Sequence, residues 1–212
     1  MPLKSKHKNK SSNTRSSERK VAFDEARVRL ANQCNHPELQ LNFFHTPSHS
    51  DRAFSNLKEC YIPFNSNNGQ LFLAYFSQWN QVSEQEFDNA FSLFTTNMKS
   101  LYEQTQRLGW TPDKRRTEMR EPNARYIFVY ESFDRPTSNP DVIQAYPNTA
   151  STGPLIAFVH YRFDMDYDRA VLYLYELQVN AAYRRSGIGS WIVTSVIEPL
   201  AAAFHMQRVR VK

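Results

Sequence analysis

Apolar and polar residues follow two different periods along this chain, and the changes between them mark its elements. Within residues 17–33, Val21, Ala22, Ala26, Val28 and Leu30 stand among charges, a pattern of helical character. Residues 34–68 are rich in Asn, Ser and Pro and keep neither period, which predicts a loop wrapping the domain. Residues 70–76 read as a first strand. Ser83 with Glu86 three residues later forms a capping box, and it opens a helix whose Phe87, Phe91, Phe94, Met98, Leu101 and Leu108 recur at helical spacing. Thr111-Pro112 supplies an N-cap and a first-turn proline for a short helix through Met119. Three strand-like runs follow, 125–130, 155–163 and 171–179, the first two separated by a Pro/Ser/Asn loop from Ser132 to Gly153 and the last two joined by a hairpin at 164–169. A further apolar helix and the start of another strand at 209–211 complete the order. Strand, two helices, three strands, helix and strand make an α/β order.

Composition changes this picture little. A chain of 212 residues suits one domain with a real core, and 41% hydrophobic and 22% charged residues are globular values. The net charge of +5 is unevenly placed. Lys4, Lys6, Lys8, Lys10, Arg15, Arg19 and Lys20 stand against Glu18 alone, so residues 1–20 carry the excess and residues 21–212 form a nearly neutral domain. Residues 1–20 are expected to be a disordered basic tail, either a solubilising terminus or an import or nucleic-acid contact. A neutral body argues against an enzyme that tracks duplex nucleic acid, and no direct nucleic-acid binding by the folded domain is expected. No apolar run is long enough for a bilayer, and Cys34, Cys60 and the six histidines show no metal-ligand spacing. No membrane or metal is therefore expected.

Candidate chemistry gathers between Leu172 and Leu200. The strand Leu172-Tyr173-Leu174-Tyr175-Glu176-Leu177 runs into Arg184-Arg185-Ser186-Gly187-Ile188-Gly189 and then a helix, so two of only five glycines fall in one hexapeptide. Glycines let backbone amides approach a ligand closely. The amides opening the next helix lie at its positive end, and with Arg184 and Arg185 they make a cradle for a pyrophosphate. Glu176, a carboxylate in an otherwise apolar strand, has two readings: a general base, or a buried structural partner of an arginine. Strand alternation sends Tyr173 and Tyr175 to the face opposite Glu176, so all three meet one ligand only where strands separate. Asp164 and Asp166 are placed on the hairpin, as a solvated acidic turn or a binding site for an arginine and an amine.

The hexapeptide, placed after the third of those consecutive strands, resembles the signature of the GNAT superfamily of acetyl-CoA dependent N-acetyltransferases. Thr96-Asn97-Met98, Leu101-Tyr102-Glu103-Gln104, Gly109-Trp110, His160-Tyr161-Arg162-Phe163-Asp164 and Leu172-Tyr173-Leu174-Tyr175-Glu176 together resemble the NatD-type N-alpha-acetyltransferases of histones over residues 86–211. That resemblance implies acetyl-CoA as cofactor, and as partners histone tails beginning Ser-Gly-Arg-Gly. It implies Glu176 and Tyr175 at the reaction centre, and Tyr102, Tyr173, Asp164 and Asp166 around the peptide. The backbone near Leu177 and Val179 would then lie on the pantetheine, with Arg184, Arg185, Ser186, Gly187, Ile188 and Gly189 on the diphosphate. It also implies a location in nucleus and cytoplasm. Two departures stand out. Arg107-Leu108 replaces an aromatic of the family's peptide site, and where the resemblance implies a mixed sheet flanked by helices, with the chain ending at Lys212 that GNAT-like sheet is expected to miss its C-terminal helix and last strands. Two other readings stay open: a binding-only remnant, and a GNAT enzyme acting on a different amine.

Overall fold

Both faces of the central strands are apolar, so the sheet has to be covered twice. In the computed structural model, which describes residues 9–35, 61–65, 71–105, 111–132 and 152–211, it is. The strands are β1 (Tyr61–Asn65), β2 (Leu71–Gln78), β3 (Arg125–Ser132), β4 (Thr152–Asp166), β5 (Arg169–Val179) and β6 (Arg208–Val211). They form one sheet in chain order, antiparallel throughout except for the parallel pair β5 and β6. The fold is therefore a mixed α/β sheet flanked by helices, as the resemblance implies.

Helix α1 (Asn9–Gln33) lies on one face, together with three continuous helical segments, Ile188–Trp191, Ile192–Ile197 and Glu198–Ala203, which make up α4 (188–203). The middle segment is π-helical, with Glu198 N–H donating to Val193 O, immediately before Pro199, which has no N–H to offer. On this face Ile127, Val129, Ala157, Val159, Tyr161, Leu172 and Leu174 pack against Ala31, Ile192, Val196 and Leu200. The other face holds α2 (Glu84–Thr105) and α3 (Pro112–Met119), whose Phe87, Phe91, Phe94 and Met119 bury Tyr126, Phe128, Tyr130 and Phe158.

Local signals account for the helix ends. Ser83 and Glu86 close their capping box with Ser83 N–H on Glu86 Oε2 at 2.9 Å and Glu86 N–H on Ser83 Oγ at 3.2 Å. Thr111 Oγ1 accepts from Lys114 N–H, and Pro112 opens α3. The C-terminus of α1 is tied to the sheet by Arg125, which donates to the carbonyls of Ala31, Asn32 and Cys34 at 3.1, 2.8 and 3.0 Å.

Several expectations need correction. The stretch expected to be loop at 34–68 contains β1, whose Pro63 and Asn65 hid it; it is an edge strand, where proline is tolerated. Helix α1 begins at Asn9, eight residues before Ser17, and runs through residues assigned by composition to a disordered tail. Residues 15–20 of it are all exposed. Leu101 follows the helical spacing of α2 yet is 52% exposed, while its neighbour Tyr102 packs against the core of that face. Leu108, Arg107 and most of the loop from Ser132 to Gly153 lie outside the described residues, while Thr152 and Gly153 already belong to β4. The hairpin is tighter than expected. β4 continues to Asp166, which pairs with Arg169, and Tyr167 and Asp168 turn the chain with φ of 44° and 63°.

Candidate active site

One residue too many in β5 shapes the site. His160 pairs with Glu176 but Tyr161 pairs with Leu174, which leaves Tyr175 as the extra residue of a β-bulge. Before the bulge Leu172 and Leu174 face α1 and α4, and after it Leu177 and Val179 do. Tyr173, Tyr175, Glu176 and Gln178 therefore all share the α2/α3 face. This overturns the expectation from simple alternation that the tyrosines and Glu176 point to opposite faces.

The bulged tyrosine belongs to an aromatic column running across the sheet. Phe128, Tyr126, His160, Tyr175 and Tyr173 follow one another with ring centroids 5.4, 5.2, 5.0 and 4.8 Å apart. The Arg162 guanidinium caps Tyr175 at 4.4 Å from its ring centre and also reaches Glu121 and, at 2.5 Å, the carbonyl of Glu118. Burial pushes the Tyr175 hydroxyl above its ordinary value, the more so with Asp164 and Glu121 nearby, while Arg162 pulls the other way. At neutral pH Tyr175 is thus a proton donor rather than a base.

Glu176 is 6% exposed and both its oxygens are engaged: Oε1 by Arg115 of α3, Oε2 by Gln178 Nε2 at 2.7 Å. Arg115, equally buried, also holds Glu118 at 2.5 Å. Of the two readings of Glu176, the arginine partner is present. A carboxylate offers about four lone-pair positions, so acceptor capacity remains for an amine.

Asp164 and Asp166 sit at the far end of the same face. Asp164 Oδ1 accepts from Met165 N–H at 2.7 Å, and Asp166 is bridged by Arg210 of β6 at 2.7 Å. Around the open half of this face the carboxylates of Glu118, Glu121, Asp164, Asp166 and Glu176 alternate with the guanidiniums of Arg115, Arg162 and Arg210, with Arg169 opposite Asp166 and Arg208 two residues before Arg210, so the two signs balance. Tyr102 stands on α2 against Phe94 with ring centres 6.0 Å apart, and the Arg115 guanidinium that holds Glu176 lies over the same Phe94 ring at 4.9 Å.

At the other end of β5 the glycine turn is built as the hexapeptide predicts. Gly187 takes φ of +92° and Arg185 +64°, Ser186 Oγ donates to Tyr183 O at 2.6 Å, and Trp191 N–H closes the first helical turn on Gly187 O. A Cβ on Gly189 meets nothing within 4 Å, so the turn's outer surface is open. Arg184 and Arg185 are exposed beside it. Tyr183 fastens the turn to the sheet through its hydroxyl on Glu131 at 2.7 Å and its ring on Phe72. Leu177 and Val179 turn their side chains into the core, and β6 pairs with β5 only from Val171 to Leu174, so among the described residues no strand covers their backbone on that edge. The Val179 carbonyl is already used, accepting from Asn97 and Arg184. Open turn, exposed arginines and uncovered strand edge fit an elongated ligand ending in a diphosphate.

Sequence reasoning missed Arg115, Arg162 and Gln178 as members of the site. Arg162 was legible only as part of a motif, and nothing in the sequence paired α3 with β5.

No family model matches the chain. Among solved structures it is similar to an aminoglycoside acetyltransferase from an uncultured soil metagenomic sample, at 12% identity over 66% of this chain and 76% of that one, with a TM-score of 0.39. It is likewise similar to the BH1408 protein of Bacillus halodurans (11%, 65% and 81%, TM-score 0.41) and to a ribosomal-protein-alanine N-acetyltransferase from Brucella melitensis biovar Abortus 2308 (11%, 66% and 79%, TM-score 0.40). Overlaps at this level decide nothing about activity, which has to be argued from the residues.

Proposed function

We propose that this protein is an N-alpha-acetyltransferase that moves acetyl from acetyl-CoA to the N-terminal amine of histone tails beginning Ser-Gly-Arg-Gly. The observation that carries the reading is the β-bulge at Tyr175, which gathers Tyr173, Tyr175 and Glu176 on one half-buried face at one end of a strand whose other end leads into the glycine turn. Acetyl-CoA, when bound, supplies an activated acyl thioester. Arg184, Arg185 and the amides of 186–189 would hold its diphosphate, and the uncovered edge of β5 near Leu177 and Val179 its pantetheine arm.

An amine attacks only after losing a proton. Glu176 is the acceptor within the site, held in place by Arg115 and Gln178. Tyr175 keeps its proton and is the donor for the departing sulfur. The Asp164 carboxylate suits the arginine or the charged amine of a Ser-Gly-Arg-Gly terminus. A second reading is favoured by one observation: both Glu176 oxygens are already engaged, as in a chain that binds ligand without turning it over.

The test is incubation of the purified chain with acetyl-CoA and a synthetic Ser-Gly-Arg-Gly peptide, followed by mass spectrometry. One acetyl group on the N-terminal residue is expected, with a rate falling about 10²- to 10⁴-fold in a folded Glu176→Gln variant. Product formed at the same rate by that variant removes Glu176 from the chemistry. Cofactor binding without product selects the binding-only reading, and acetylation confined to other amines selects a different substrate.

A further inference from the structure

A single side chain ties the glycine turn to Glu176. Asn97, on α2, donates through Nδ2 to Gln178 Oε1 at 3.0 Å and to the Val179 carbonyl at 3.2 Å, and its Oδ1 accepts from Arg184 Nη2 at 2.7 Å. Gln178 passes the chain on, donating Nε2 to Glu176 Oε2 at 2.7 Å. The direction of each bond is fixed by the one before it. Because Asn97 gives Gln178 a donor, the amide oxygen of Gln178 is taken and its NH₂ is what faces the carboxylate. Reversing that amide would set an oxygen against Glu176.

At the turn the same side chain orients a cation. Arg184 has five donors, of which Nε is spent on the Val179 carbonyl and one Nη2 hydrogen on Asn97, leaving three aimed away from them. An anion that draws on Arg184 therefore pulls on the acceptor oxygen of Asn97. Asparagine supplies two donors and an acceptor within one short amide; aspartate keeps only the acceptor, and alanine neither.

We propose that Asn97 is a positioning residue that couples anion capture at the glycine turn to the orientation of Glu176, so that the carboxylate is set once a diphosphate is seated. The coupling rests on the acetyl-CoA reading above for its purpose, but its parts can be measured separately from turnover.

The experiment is a titration of the ¹⁵N-labelled full chain with sodium pyrophosphate and then coenzyme A, following the backbone amides of 186–189 and the side-chain amide of Gln178, with coenzyme A affinity by calorimetry. In the unaltered protein the Gln178 side chain is expected to shift at the same midpoint as the turn. Asn97→Ala should weaken coenzyme A roughly tenfold, as loss of a hydrogen bond to a charged group does. Asn97→Asp should hold affinity within about threefold, since it still accepts from Arg184, while the Gln178 shift disappears and kcat falls with the KM for acetyl-CoA unchanged. A Gln178 signal that stays still while the turn responds overturns the coupling. So does Asn97→Asp behaving as Asn97→Ala, the result of a mere tie between helix and strand. Coupled shifts without any acetylated peptide uphold the coupling and remove the enzyme reading; binding of neither probe removes the cofactor reading and the coupling with it.

Discussion

At the scale of single residues, the site is held by buried charges that stand or fall together. Arg115 and Glu176 are each about one-twentieth exposed and ion-paired with one another, Arg115 also reaching the half-buried Glu118. Replacing such a pair by apolar residues is often neutral, whereas removing one partner strands a charge in a medium that solvates it poorly. Arg115→Met is therefore expected to cost about 3–5 kcal/mol in urea unfolding, and Arg115→Met/Glu176→Leu much less than that. A single variant losing under about 1 kcal/mol, the worth of an exposed pair, would mean that water reaches Glu176 freely. This pairing was legible only as an alternative: a lone glutamate in an apolar strand announces that it needs a partner, but the partner lies 61 residues away on a helix that shows no amphipathic preference for it.

At the scale of elements, the glycine turn separates what the backbone requires from what a ligand requires. Gly187 has φ of +92°, where an L side chain is strained by roughly 1–2 kcal/mol. Gly189 sits in ordinary helix with open space where a Cβ would be, so Gly189→Ala leaves stability unchanged or slightly raised by helix propensity. Thermal melts should thus lower Tm for Gly187→Ala alone, whereas Gly189→Ala should weaken coenzyme A by putting a methyl in its approach. Equal melting and full cofactor affinity in Gly189→Ala would show that no ligand comes close there. Caps, hairpin and glycine turn were legible because each depends on residues adjacent in sequence: Ser83 with Glu86, Thr111 with Pro112, Gly187 with Arg185. The bulge was not. Alternation in Leu172-Tyr173-Leu174-Tyr175-Glu176-Leu177 gives no sign that one residue will be left over, since register is decided by His160 and Tyr161 on the neighbouring strand. Strand β1 was missed for a related reason, since it is a strand only by virtue of β2 beside it.

Across the whole molecule the α2/α3 face is closed by tyrosines whose hydroxyls are buried, and this sets how the fold responds to alkali. Burial pushes Tyr75 and Tyr126 far above the ordinary phenol value; in Tyr75 Tyr130 and Glu86 add to it, and in Tyr126 neighbouring arginines oppose it. Tyr130 is pushed up to about 12, also mainly by burial. In the unfolded chain each of these ionises near pH 10. Below that value both states hold the proton and the tyrosines add no pH dependence. Above it the unfolded chain releases protons that the folded one keeps, so stability is lost as pH rises from about 10 through about 12 and beyond, because the unfolded state then binds fewer protons. Tyrosinate absorbance of these buried groups and loss of the far-ultraviolet circular dichroism signal should therefore rise together in one cooperative transition. Ionisation of Tyr75, Tyr126 and Tyr130 with the dichroism unchanged would mean that water enters between α2, α3 and the sheet, and that the packing of these three is not what holds those helices down.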